Sequence, residues 1–266
     1  MTNPIISPQQ MLERVVRFSD VKQHPIPLMF IDSVLPRHQR LNFSIIGDTA
    51  SENPDFMPML KQPHKFQIGM VSAPPKSGPA YHTHEYVEMF MPLSGKWRFY
   101  WGNDPKGEPE GEVILDRWDM ISFPPYLYRG LENVSRTHAW LFAMLDPHDV
   151  YRFKDPIWAP HVLEQAEAFQ FRADERGKMI KPDNYDQVHA ELLGTLTKGM
   201  KAGDAADKAS KKTSKAVTSR ALSKPKKRVP ARRVTKPGKA VKPGKAVKSG
   251  KMPTAGQAKR KAAKRG

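Results

Sequence analysis

The sequence predicts an all-β domain, an antiparallel barrel or sandwich, with a few peripheral helices and a basic tail. Three observations carry this. Short apolar or alternating runs recur between residues 27 and 145, separated by Pro, Gly, Asn and Asp clusters, which is the pattern of strands joined by turns. Charge is segregated along the chain. Of 44 Lys and Arg, 24 lie in residues 198–266 against two acids, Asp204 and Asp207, so residues 1–197 carry 20 basic and 25 acidic side chains. No Phe, Tyr or Trp follows Tyr185. The formal charge of +17 therefore belongs to the tail.

Residues 8–18, "PQQMLERVVRF", predict a short amphipathic helix, because Met11, Leu12, Val15, Val16 and Phe18 share a face at helical spacing. The period then changes. "PLMFIDSV", "LNFSIIGD", "KFQIGMVSA", "YVEMFMPL", "KWRFYWG", "EVILD", "DMISFPP" and "HAWLFAML" follow as predicted strands. "PLSGK" at 92–96 predicts a tight hairpin with Gly95 at positive φ. "GNDPKGEPEGE" at 102–112 is a polar loop before the next strand. After Leu145, "APHVLEQAEAFQ", opened by Pro160, and "NYDQVHAELLGTL" are helical patterns whose narrow apolar stripes suit packing on the outside of a sheet. The expected divisions are an N-terminal helix and lead-in strand over 1–39, the barrel over 40–147, a helical extension over 148–197 and a disordered tail over 198–266.

Composition narrows the chemistry. With no cysteine there are neither disulfides nor thiolate metal ligands. No window approaches the ~18–20 apolar residues of a membrane span, so a soluble, cytoplasmic protein is the expectation. There is no GxSxG elbow, GxxxxGK[ST] loop or GxGxxG turn, so serine acyl transfer, nucleotide hydrolysis and dinucleotide cofactors lack their usual sequence parts.

The informative stretch is "PAYHTHEYVEMFMPLSGKWRFYWG", Pro79 to Gly102. In a strand, His82 and His84 point the same way with roughly 7 Å between their Cα atoms, and Glu88 adds a carboxylate further along. Two His and one carboxylate form the facial ligand set of non-haem Fe(II); Mn(II), Zn(II) or Ni(II) also use such donors. On the residues alone, half-exposed strand histidines and a solvated glutamate stand as the other reading.

The spacing HxH, three residues, Glu88, six residues, Gly95 resembles the first signature of the cupin family. Downstream, "DRWDMISFPPYLYRGLENVS" resembles the second, with Asp119, Pro124 and Asn133 at matching positions. The resemblance covers roughly residues 40–147. It implies an antiparallel jelly-roll β-barrel with the site inside and a divalent metal held by His82, His84 and Glu88.

Three positions depart from that pattern. Lys76 stands where the family usually has Gly, Tyr126 where a turn Gly is common, and Arg129 where the third metal-binding histidine belongs. Arginine keeps its proton and cannot be a ligand. Two arrangements follow. Either Arg129 reaches across the pocket and grips the carboxylate of an acidic substrate, or it pairs with Glu88 and the site has lost its metal.

Asn133 and Pro124 read as structural, and His138 as a satisfied strand residue. Trp97, Phe99 and Trp101 share one face of their strand, core or dimer contact, while Arg98 and Tyr100 share the other. Core is the expected reading of the aromatic face.

The tail repeats KPGKAV at a six-residue period within Thr235–Lys251. Pro and Gly in each repeat interrupt helix, and like charges repel, so disorder is expected. The composition resembles the Lys-, Ala- and Pro-rich tails of linker-histone-like bacterial proteins. Such a tail binds nucleic acid through counterion release without sequence preference, and lacking aromatics it cannot stack on bases.

These readings predict a metal-dependent enzyme, Fe(II) preferred, acting on a small organic acid or aromatic as a dioxygenase with Arg129 orienting the anionic group. The alternative is a metal-free small-molecule sensor tethered to nucleic acid, with nucleoid association, by residues 198–266. A homodimer is expected in either case.

Overall fold

A computed structural model describes residues 5–47, 51, 53, 55–106, 108–146, 155–175 and 179–222, with the side chains of 210–222 left aside. The repeats of Thr235–Lys251 lie outside the described residues.

The chain opens with α1 (Pro8–Leu12), α2 (Phe18–Val21) and α3 (Phe30–Val34). Strands β1 (Leu41–Ile46), β2 (Gln67–Ala73), β3 (His82–Thr83), β4 (Val87–Pro92), β5 (Trp97–Gly102), β6 (Gly111–Leu115), β7 (Ile121–Phe123), β8 (Tyr128–Asn133), β9 (Ala139–Asp146) and β10 (Ile157–Trp158) follow. Helices α4 (Pro160–Glu167) and α5 (Tyr185–Leu222) complete it.

Two five-stranded antiparallel sheets face each other, one in the order β1-β2-β9-β4-β7 and the other β10-β3-β8-β5-β6. From β2 onward the chain crosses between sheets at every connection except the β5–β6 hairpin. This is the jelly-roll barrel, the cupin fold, that the two motifs imply. Its interior is filled by Trp97, Phe99, Phe123, Leu131 and Leu141, each 0–2% exposed. Trp97 and Phe99 are thus core, with Trp101 packed at the edge of the cluster.

Several elements differ from expectation, each for a physical reason. The helix over 8–18 breaks into α1 and α2. A Ser7–Gln10 capping box holds the first turn, but Met11, Leu12 and Val15 stay exposed, so no packed face sustains a longer helix. "PLMFIDSV" forms α3 instead of a lead-in strand; Phe30, Ile31, Asp32 and Ser33 are all buried, and burial on every side erases the periodicity that separates helix from strand.

"PLSGK" does not close a hairpin. Gly95 has φ 68° as expected, yet β4 and β5 belong to different sheets, and the turn carries the chain across the barrel. The polar loop at 102–112, by contrast, joins paired neighbours, β5 and β6.

The largest correction concerns the tail. Residues 198–222 continue α5 rather than forming a disordered segment. Leu192, Leu193, Leu196 and Met200 recur at helical spacing and pack with Phe43 and Trp140 on the outer face of the β1 sheet. Gly199 and Gly203 let the helix approach closely: a Cβ at Gly199 would lie 2.2 Å from His138 Nε2. Asp204 accepts from Trp140 Nε1 at 2.9 Å and pairs with Lys22 at 3.1 Å. The boundary at 197/198 followed the charge density and overlooked this stripe.

Candidate metal centre

The short strand β3 pairs on both sides, with His82 opposite Trp158 of β10 and opposite Arg129 of β8. His84 follows immediately, and Glu88 sits in β4 opposite Phe123 and Leu145. His82 and His84 are two residues apart at the end of β3, and the crossing to β4 brings Glu88 to them from the other sheet. All three are buried, and one ligand atom from each lies within 4.8 Å of the others.

The imidazoles are oriented by what their Nδ1 atoms meet. His82 Nδ1 donates to the Ala80 carbonyl at 2.6 Å, and His84 Nδ1 donates to Asp155 Oδ1 at 2.5 Å. Tyr86 Oη donates to the other oxygen of Asp155. Each ring therefore presents Nε2 inward, and an outer carboxylate or carbonyl on Nδ1 is the usual support of a metal-ligating histidine. Burial pushes the His82 imidazole well below its ordinary pKa, and the Arg129 charge adds to the shift. A neutral ring with a free lone pair is the ligating form.

Arg129 is fully buried. Its Nε and Nη2 both donate to Glu88 Oε2, at 3.1 and 2.6 Å, while Nη1 donates to the Leu127 carbonyl at 3.2 Å and Thr83 Oγ1 at 3.4 Å. Of the two arrangements open to it, Arg129 takes the pairing with Glu88. Both bonds go to Oε2, the same oxygen that lies 3.5 Å from His84 Nε2, so Arg129 and a bound ion would share or compete for it.

The donor set fits a divalent metal. Adjacent ligands ~2.1 Å from one ion stand ~3.0–3.4 Å apart in a facial or tetrahedral set, so atoms now within 4.8 Å of one another would draw together by an ångström or more on binding. The guanidinium charge offsets that of Glu88, which makes this a weaker site than one with a third histidine.

The three side chains line a cavity of about 80 Å³. Arg40, Asn42 and Gln67 supply further polar lining, and Phe56, Val71, Phe90, Leu145 and Trp158 supply apolar walls. Arg129 does not line it. Sequence reasoning missed Arg40, Asn42 and Asp155. Asn42 and Ser44, buried polar residues interleaved in the apolar run of β1, were the available signal for an inward polar face. Asp155 carries no local signal.

No family model matches the chain, and no curated protein matches it. Solved structures similar to it include the cupin domain of Schizosaccharomyces pombe Cnp3, at 13% identity over 42% of this chain and 63% of that one, TM-score 0.31. A double-stranded β-helix protein from Klebsiella pneumoniae is similar at 14% identity over 46% and 90%, TM-score 0.32. The oxalate decarboxylase formate complex of Lactobacillus farciminis is similar at 11% identity over 45% and 30%, TM-score 0.33. The chain spans less than two thirds of the first and third of these proteins.

Proposed function

We propose that this cupin-fold protein is a metal-dependent enzyme acting on a small organic acid or aromatic, with Fe(II) the preferred ion and dioxygenation the reaction. The observation that carries the reading is the convergence of buried His82, His84 and Glu88 on the wall of a cavity, with both Nδ1 atoms already satisfied. An ion bound by two histidines and one carboxylate supplies open coordination positions for substrate and dioxygen.

The chain's own residues do the rest. Asp155, itself held by Tyr86, fixes the His84 ring. Arg129 keeps the Glu88 carboxylate in one orientation through Oε2, acting as a positioning residue instead of the substrate-facing cation expected from sequence. Phe56, Val71, Phe90 and Leu145 limit water at the substrate.

The Arg129–Glu88 pair also favours a second reading, a metal-free barrel that binds a small acid while its basic C-terminal residues contact nucleic acid. Metal content separates the two. Protein purified without chelator or histidine tag, then reconstituted anaerobically with Fe(II), should hold about one ion per chain. His82→Ala and His84→Ala should each lose it, since two remaining ligands hold an ion poorly. Absence of metal after reconstitution, or metal content in both variants unchanged from wild type, would overturn the enzymatic reading.

A further inference from the structure

We infer that Arg40 anchors the carboxylate of a short aliphatic monocarboxylic acid in the cavity lined by His82, His84 and Glu88. The inference rests on the reading of that cavity as a substrate site. Arg40 is only 4% exposed, so each of its N–H groups needs an acceptor inside the protein. Nη1 meets Asp32 Oδ1 at 2.5 Å and the His38 carbonyl at 3.2 Å. Nε donates to Asn42 Oδ1 at 3.2 Å. Asn42 Nδ2 in turn donates to Asp32 Oδ2 at 2.8 Å, so the fork is held from two sides.

Nη2 is different. It meets the Met29 thioether at 3.4 Å, and sulfur is a weak acceptor for a guanidinium. Met29 and Arg40 both line the cavity. A preorganised cation with one poorly satisfied arm beside an internal space is what a carboxylate oxygen completes. Arg129, the residue singled out from sequence, has no such arm, because its three nitrogens are spent on Glu88, Thr83 and Leu127.

Charge and size narrow the ligand. Asp32 with Arg40 and Glu88 with Arg129 form two neutral pairs, leaving Asp155 as the remaining anion bonded to His84. A divalent ion would then leave one net positive charge, and a monoanion balances it; a dianion would be left with an uncompensated buried charge. The cavity, about 80 Å³, takes a few heavy atoms, and its apolar walls suit a short alkyl chain.

The test compares acetate and propionate with acetamide and propionamide by calorimetric titration on full-length protein, both chelator-treated and zinc-loaded. Zinc uptake is measured separately. Wild type should bind the acids and ignore the amides. Arg40→Lys, and a double variant Asp32→Asn with Arg40→Gln that removes both buried charges together, should bind the acids about ten- to a hundredfold more weakly, the worth of one charge-assisted hydrogen bond. Acids bound equally by the variants, amides bound as well as acids, or no acid binding by wild type in either form would each overturn the assignment. Should the double variant not fold, the wild-type comparison of acid with amide and Arg40→Lys decide it. Arg40-dependent binding without zinc uptake would sink the metal reading alone; zinc uptake with binding indifferent to Arg40 would sink this inference alone.

Discussion

Replacing Arg129 by histidine tests the centre most directly, because it alters stability and metal binding in opposite directions. Arg129 and Glu88 are 0% and 6% exposed at the side chain and 2.6 Å apart. Removing one member of such a pair leaves the other buried without its counterion, at a cost of ~3–5 kcal/mol. For a folded body of about this size, each kcal/mol moves Tm by ~2–4 °C. Metal-free Arg129→His should therefore melt about 6–20 °C below metal-free wild type. The new imidazole stands on β8 opposite His82, where it would join the two histidines and Glu88 as a fourth ligand, and the bound ion would take over the neutralisation of the carboxylate. A divalent ion at a hundred times its Kd returns ~2.7 kcal/mol, or about 5–11 °C. Thermal melts with chelator and with Zn(II) or Mn(II), alongside metal content by mass spectrometry, read both effects. A variant that melts with wild type in chelator, or that gains nothing from metal beyond the gain of wild type, would refute the reasoning.

Shortening the chain should separate the two halves of the basic region. Ending it after Leu222 should leave Tm unchanged, whereas ending it after Thr197 removes buried Met200 and the Asp204 contacts to Trp140 and Lys22, costing ~2–4 kcal/mol; equal melting of the two would contradict the packing of α5. Burial lowers the His138 pKa to about 4, below its unfolded value of ~6.5. The unfolded chain then binds the extra proton first, so this group's contribution is present above pH ~6.5 and fades as pH falls toward 4. Melts at pH 7 and pH 5 should show a smaller loss for His138→Gln than for wild type, and an identical loss would dismiss the role of His138. Residues 223–266 carry 17 Lys and Arg and no acid, so full-length protein should bind duplex DNA of any sequence with a log–log salt slope of roughly −0.9 per phosphate neutralised. Gel shifts of the chain ending at Leu222 should show that binding nearly gone; equal affinity would move the nucleic-acid surface onto the folded body.

The barrel strands and the shared face of His82 and His84 were legible in the sequence because both depend on local periods, whereas Glu88, on a strand of the other sheet, was legible only through the motif spacing that resembles the cupin signature. Alternation places His82 and His84 on one face whatever the rest of the chain does, and most strands from β1 to β9 announced themselves through runs bounded by turn residues. What Arg129 touches was not legible, since the choice between a substrate and Glu88 depends on the packing of β8 against β4 across the barrel. Arg40, Asp32 and Asp155 reach the centre from positions tens of residues away in sequence, brought there only when the two sheets close, and no local pattern encodes that closure. The crossing at Gly95 and the extension of α5 follow the same logic. A turn's φ is set by its own residue, but which sheet the next strand joins is set by the whole barrel. Likewise the charge count of residues 198–222 concealed a helix whose stability comes from the face of Leu196, Met200 and Gly203 that it buries against Trp140 and His138.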